Sequence, residues 1–224
     1  MTRVAALVPM RHHSQRVAEK NYRPLAGRPL YHWIVESLLQ CPEIGEVVVD
    51  TDSPVIAAGV RAGFPGVRLI PRPERLAGDD VSMNEILLHD TTLVDADIFV
   101  QTHCTNPLLT PASIGRAIRT FVAARPQHDS LFSVTRLQTR LWDAEGRPIN
   151  HDPAVLLQTQ DLPPVFEENS CLYLFTAATL RERSNRIGAR PLTFELPPGE
   201  ACDIDQEIDF QIAEFLMERR LRRT

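Results

Sequence analysis

The sequence predicts an α/β fold, a largely parallel sheet with helices on both faces, and three observations carry that reading. Short apolar runs rich in β-branched residues, such as Val4–Val8, Val47–Thr51 and Ile98–Gln101, read as buried strands. Segments of helical period lie between them, as in Leu30, Trp33, Ile34, Ser37 and Leu38, spaced i, i+3, i+4, i+7, i+8. The two kinds of segment alternate along the chain, which is the order that βαβ units require. With 224 residues and ordinary hydrophobic content, the chain can bury one substantial core, so a single domain spanning 1–224 is expected.

Val4–Val8 reads as the first strand, because the apolar run from Met1 is too short for a secretory signal and leads directly into charge. The helix marked by Leu30 to Leu38 follows, with Trp33 as core. Val47–Thr51 is the second strand, and Pro54–Ala62 a helix that Ser53 caps with Pro54 at its first position. Val67–Ile70 reads as strand, Ser82–Leu93 as helix, Ile98–Gln101 as strand, and Pro111–Ala123 as helix after Thr110 as cap. Ser130–Arg136 is strand again. From Leu137 to Glu168 the rhythm breaks, because Pro148, Pro153, Pro163 and Pro164 interrupt any long element, and the stretch reads as an excursion. Ser170–Phe175 resumes the sheet, Ala177–Arg183 is helix, Pro191–Glu195 strand, and Glu207–Arg219 the last helix. The basic tail after it suits the negative end of a helix dipole.

A net charge of −5 with scattered arginines offers no broad footprint for duplex nucleic acid, so a small-molecule partner is expected. Cys41, Cys104, Cys171 and Cys202 form no C-x-x-C pair, which predicts reduced thiols in a cytoplasmic protein. No stretch is long and apolar enough to span a bilayer.

Lys20 is the only lysine among 24 basic residues, and it closes the run Arg11-His-His-Ser14-Gln-Arg16-Val-Ala-Glu-Lys20-Asn21. A lysine holds a polyphosphate oxygen as a compact point charge, which a planar guanidinium does not imitate. The run follows the first strand, at the edge of a parallel sheet where open α/β folds bind ligands. It contains neither G-x-x-x-x-G-K-[ST] nor G-x-G-x-x-G, so side chains would hold the phosphates. His12 and His13 read as polar loop residues, since no further metal ligands accompany them.

Near the other end, Asp203 and Asp205 are two apart, and in extended backbone both carboxylates face one way and can meet one hard cation. Asp205 is also a candidate cap for the last helix, and Asp209 reads as a solvated helix residue. Asp50 and Asp52 form a rival pair. The first pair is preferred because Glu207 and a helix follow it.

Arg11-x-x-Ser14-x-x-x-x-x-Lys20-Asn21 with Arg23-Pro-Leu-Ala-Gly-Arg-Pro-Leu30 resembles the opening signature of the acylneuraminate cytidylyltransferase family, related to the Kdo cytidylyltransferases. Further similar segments follow in order: Val47 to Asp52, Arg72 to Asp79, Thr105 to Leu108, Gln160 to Val165 with Glu168-Asn169, Arg186-Ile-Gly188, and Asp203-Ile-Asp205. The resemblance implies a three-layer nucleotidyltransferase fold with a mixed, mostly parallel sheet, CTP as donor and Mg2+ as cofactor. It also implies a homodimer in which the 137–168 excursion reaches the partner. By position it makes Arg11, Ser14, Arg16, Lys20 and Asn21 the triphosphate and cytidine loop, with Arg72 and Ser82 reading base and ribose. Asp203 and Asp205 become the metal aspartates, and Asn169 joins the substrate residues.

Two departures bear on the acceptor. His103 replaces the glutamine of the Gln-Pro-Thr-Ser-Pro-Leu segment, and Thr159 stands where many relatives carry an arginine. The implied reaction is transfer of CMP from CTP to a 2-keto-3-deoxy sugar acid, releasing pyrophosphate. Arg11 and Lys20 would neutralise the leaving side, and Asp205 acts through the metal, with no general base assigned. The rivals are a nucleotidyltransferase using a phosphorylated or phosphonate acceptor, a metal-dependent glycosyltransferase using Asp50 and Asp52, and a nucleotide-binding subunit without turnover.

Overall fold

A computed structural model of the chain describes residues 2–14 and 16–223, so Met1 at the head of the first apolar run lies outside the described residues. The sheet has seven strands: β1 (Val4–Met10), β4 (Glu46–Thr51), β5 (Arg68–Pro71), β6 (Ile98–Thr102), β7 (Ser130–Leu137), β8 (Val165–Phe175) and β9 (Pro191–Glu195). Their order is β5-β4-β1-β6-β8-β7-β9. The first four pair in parallel, β8 runs antiparallel to both β6 and β7, and β9 lies parallel to β7. The sheet is therefore mixed and mostly parallel. A short hairpin, β2 (Pro24–Leu25) and β3 (Arg28–Pro29), turns through Ala26 and Gly27, both at positive φ, a conformation that glycine supplies without steric cost.

β1 shows how the layers form. Val4, Ala6 and Val8 point to one face, where they pack with Ile34 of α1 (Leu30–Leu39), Ile56 of α2 (Pro54–Gly63) and Phe121 of α4 (Pro111–Ala124). Ala5 and Leu7 point to the other, with Leu87 of α3 (Met83–Leu93) and Leu180 of α5 (Ala177–Arg183). Both faces are covered, so the central strands read as unbroken apolar runs. The expected caps are in place: the Ser53 hydroxyl accepts from Ile56 N at 3.2 Å and the Thr110 hydroxyl from Ser113 N at 3.2 Å. The last helix, α6 (Glu207–Leu221), packs Phe210, Ala213 and Met217 against Leu25, Trp33 and Leu108 in a third cluster.

Most ends lie within two residues of the sequence reading, and two differences bear on the site. β8 begins at Val165, not Ser170, because residues 165–168 pair with Leu137 to Val134 across a hairpin whose long loop hides the pairing from local pattern. The cap of α6 is Gln206, not Asp205. Asp209 reaches back to accept from Gln206 N at 2.7 Å and Asp205 N at 3.0 Å, so it is a capping residue and not merely a solvated one.

The excursion has structure of its own. Asn150 accepts from Leu141 N at 3.0 Å and donates to the carbonyls of Thr139 and Pro163, drawing its two ends together. It leaves Trp142, Ile149, Val155, Leu156 and Leu157 exposed, Leu156 by 89%.

Candidate active site

The loop after β1 is held from both ends. Asn21 is buried, its amide donating to Arg11 O at 2.7 Å and accepting from Cys104 Sγ at 3.1 Å, which ties the loop to itself and to the end of β6. His12 is a brace: its ring meets Ser53 Oγ at 2.8 Å and stacks on Tyr22, while its backbone N–H donates to Asp52. Asp52 is thereby committed to the loop.

Opposite stands the segment before α6. Buried Ile204 places its N–H on Thr105 O at 3.0 Å, and Lys20 Nζ donates to Ile204 O at 2.6 Å. Arg23 forks onto Glu207 at 2.7 and 2.8 Å and lies over the Phe210 ring, fixing the hairpin to the helix that carries this segment. Two pieces of chain 184 residues apart thus become the facing walls of one cleft.

The cleft is a cavity of ≈ 400 Å³. Arg11, Arg16, Lys20 and Arg72 supply its cations, Asp203 and Asp205 its carboxylates, and Ser14, Asn21 and His103 line it as well. Ser82 and Asn169 do not line it. Ser82 caps α3, its hydroxyl accepting from Glu85 N at 3.3 Å in a capping box, and Asn169 is buried in the sheet.

Arg16 meets Asp205 at 2.8 Å, Lys20 stands 3.9 Å from the same oxygen, and Arg11 meets Asp79 at 2.6 Å. Apart from Lys20, these groups are well exposed, so a polyphosphate can take the place of the carboxylates at small cost. Asp203 differs. Its Oδ1 is buried without a hydrogen-bond partner, and burial raises its pKa, with Asp205 adding to the rise and Thr105 opposing it. A carboxylate with an unspent oxygen beside a second carboxylate fits Mg2+, which takes few protein ligands and fills its octahedron from phosphate and water. No group of three or more acidic, histidine or cysteine side chains able to hold a metal occurs among the described residues, so an all-protein cage is not offered. Cys104 is no nucleophile, because burial pushes its thiol up to about 12.

Arg72 reaches the cavity from a buried ionic cluster. Its Nε donates to Asp50, and both side chains are almost wholly inside. Asp90 lies against Asp50, and burial followed by the Asp50 charge pushes Asp90 up to about 8. As two carboxylates, they would leave Asp50 Oδ2 and both Asp90 oxygens without partners. A proton on Asp90 lets it donate to Asp50, leaving one charge to match Arg72. Asp50 is spent here, so Asp50 and Asp52 do not form a metal pair.

The far wall was less visible in the sequence. β7 and β8 lose register between Phe132 and Val134, and Asn169 stabilises the bulge, accepting from Ser133 Oγ at 2.6 Å and donating to Thr135 Oγ1 at 3.2 Å. Within the bulge Ser170 takes φ +55° and lines the cavity. Gly78 and Thr105, which lie within the segments Arg72 to Asp79 and Thr105 to Leu108, also line it, as does Val81, which no motif marked. Gln101 contacts His103 at 3.1 Å and accepts from Arg186 at 2.6 Å, while Arg186 lies 3.5 Å above the Tyr173 ring. Neither Arg186 nor Arg190 lines the cavity, and Arg190 donates to Pro126 O. Thr159 sits in a 3₁₀ turn of the excursion.

Mixed sheet, cationic loop and acidic segment together define a nucleotidyltransferase-like α/β protein. The chain belongs to the cytidylyltransferase family, whose profile matches residues 5–217. It is 28% identical over 219 residues to N-acylneuraminate cytidylyltransferase A of Danio rerio, an alignment covering 94% of this chain and 50% of that protein. It is 26% identical over 212 residues to 3-deoxy-manno-octulosonate cytidylyltransferase of Acaryochloris marina, covering 89% and 81%. The chain spans about half the length of the N-acylneuraminate cytidylyltransferases it matches. In fold it is similar to a CMP:2-keto-3-deoxy-manno-octonic acid synthetase solved with CTP, at TM-score 0.75 and 18% identity, covering 98% of this chain and 100% of the other. A 4-diphosphocytidyl-2C-methyl-D-erythritol synthase aligns at TM-score 0.70 and 15% identity, covering 97% and 99%.

Proposed function

We propose that this chain transfers CMP from CTP to an acidic sugar of the 2-keto-3-deoxy class and releases pyrophosphate. The observation that carries the reading is Lys20, whose ammonium rests on the Ile204 carbonyl between the two aspartates and so faces both walls of the cleft. Family membership supports CTP as donor, and the relatives named for N-acylneuraminate and 3-deoxy-manno-octulosonate support an acid sugar as acceptor.

In this reading Arg11, Arg16 and Lys20 exchange their present carbonyl and carboxylate partners for the β- and γ-phosphates, offsetting charge as pyrophosphate leaves. Arg72, oriented by Asp50, faces the nucleoside. Asp203 and Asp205 would hold Mg2+, which when bound supplies charge neutralisation at the phosphates. Ser14 and Asn21 shape the loop, and His103 and Ser170 line the end left for the acceptor. The chain acts as one catalytic domain, and its four free thiols suit the cytoplasm.

We also assign a homodimer, in which a second copy covers the exposed apolar side chains of the excursion around Leu156. The acceptor differs from N-acetylneuraminate, because His103 and Thr159 replace an amide and a guanidinium that relatives are read as offering the sugar.

Pyrophosphate release measured with each nucleoside triphosphate against a panel of sugar acids tests the proposal. CTP should be preferred, and a sugar acid other than N-acetylneuraminate should have the highest kcat/KM, by about 10- to 100-fold. Best turnover with N-acetylneuraminate would reject the acceptor assignment, and release only with a phosphorylated acceptor would reject the class.

A further inference from the structure

The end of β6 carries a hydrogen-bonded relay whose polarity is fixed from one end. A guanidinium can only donate, so where Arg186 Nη1 meets the Gln101 side chain at 2.6 Å the atom facing it must be the amide oxygen. Gln101 therefore turns its NH2 the other way. It donates to Thr102 O at 3.0 Å, which a carbonyl can only accept, and the same nitrogen lies 3.1 Å from His103 Nε2. A nitrogen that receives an N–H carries no proton, so the ring proton sits on Nδ1. Arg186 is pinned in turn, stacked on Tyr173 with its own backbone N–H on Asn84 Oδ1 at 3.1 Å. Gln101 is fully buried and its amide has no room to exchange ends with solvent.

We propose that Gln101 is a positioning residue that locks His103 as the neutral Nδ1–H tautomer, giving the acceptor end of the cleft one fixed hydrogen-bond donor. His103 lines the cavity, and with Nε2 committed to Gln101, Nδ1 is the ring nitrogen left for a ligand. Burial, with Arg186 and Lys20 nearby, holds the imidazole down to about 3, so it stays uncharged at working pH. A primary amide at this place could both donate and accept, whereas this imidazole only donates. The group it meets must be an oxygen with a free lone pair, such as a carboxylate, acyl carbonyl or hydroxyl, and not an ammonium. The acceptor half of this inference rests on the function proposed above, and the tautomer half does not.

Multiple-bond proton–nitrogen spectra of the full chain labelled with 15N-histidine test it, with His103 assigned by its loss in His103→Asn. The wild type should show a protonated Nδ1 and a bare Nε2 from pH 5 to 8. An Nε2–H tautomer, or an imidazolium in that range, would overturn the lock. Gln101→Glu keeps the shape and the Arg186 contact but can only accept, so the proton should move to Nε2; an unchanged tautomer would reject Gln101 as its cause. In the same variant kcat/KM for the best sugar acid should fall about 10- to 100-fold, with KM for CTP within about twofold. His103→Asn, which can place an amide N–H near the Nδ1 position, should retain more acceptor affinity than His103→Gln. A switched tautomer with unchanged acceptor kinetics would overturn the recognition role. Absence of transfer to every sugar acid would overturn the proposed function and the acceptor half with it, while the spectrum decides the tautomer half independently.

Discussion

The two ends of the cleft are built differently. At the end proposed for the nucleotide, charged side chains come from segments 11–21 and 203–205 and from buried Arg72, and Arg11, Arg16 and Asp205 are partly exposed and loosely paired. At the end proposed for the acceptor, His103 and Ser170 line the cavity beside side chains that are held in place: Gln101, in the strand that His103 follows, is fixed by Arg186, and Asn169, next to Ser170, pins the bulge between β7 and β8. The first design suits a ligand that brings its own charge, because surface ion pairs give way cheaply. The second suits discrimination, because a fixed buried donor left unpaired costs about 1–3 kcal/mol. On the function proposed above, the difference teaches that one cleft would bind its common substrate by charge and choose its particular one by geometry.

Lys20 gives the strongest way to break this comparison, since it serves both walls of the nucleotide end. Lys20→Ala should cut turnover by about two to four orders of magnitude with the fold intact by circular dichroism, and Lys20→Arg should recover only part. Near-normal pyrophosphate release from the alanine variant would show that charge placement at that end is dispensable.

Removing one carboxylate sharpens the same point. Asp203→Asn and Asp205→Asn should each lower the Mg2+-dependent rate by about 100-fold or more while CTP affinity by calorimetry changes little, and EDTA should silence the wild type. If Asp52→Asn abolishes metal dependence while the C-terminal pair tolerates change, the metal lies elsewhere.

The excursion bears on whether the acceptor end is complete in one chain. Leu156→Asp places a charge in the exposed apolar patch and should weaken dimerisation by about tenfold or more in sedimentation, raising the KM for the sugar acid more than that for CTP. Full activity from a monomer would confine the whole site to one copy.

The smallest effect concerns Arg72. Asp90 is held protonated by burial, so the folded state binds a proton that the unfolded state has released above the ordinary carboxylate pKa near 4. Stability from this group is therefore lost as pH rises from about 4 and levels off above about 8. Asp90→Asn keeps a neutral donor for Asp50 and removes that slope. Its advantage over the wild type in urea unfolding should be roughly 1–3 kcal/mol larger at pH 8 than at pH 5. An equal difference at both values would mean that Asp90 is ionised in the fold.

Most of the sheet, both helical layers and the cationic loop that lines the cleft were legible in the sequence, because each depends on neighbours a few residues away. Strand alternation, the Ser53 and Thr110 caps and the cluster from Arg11 to Asn21 are local signals. What the sequence left open were contacts whose partners lie far along the chain. Ser82 and Asn169 carry the residue types of a binding site, yet one satisfies a helix start and the other a bulge in the sheet. The paired base of the excursion, the Asp50–Arg72 pair with Asp90 against it, and the contact of Arg186 with Gln101 join residues 22 to 85 positions apart, and none has a spacing that pattern can recognise. Residue type and short-range order thus determined which elements form and where charge gathers. Packing alone decided which polar groups are spent inside and which are left facing the cleft, because a buried group's role is set by the partner that satisfies it.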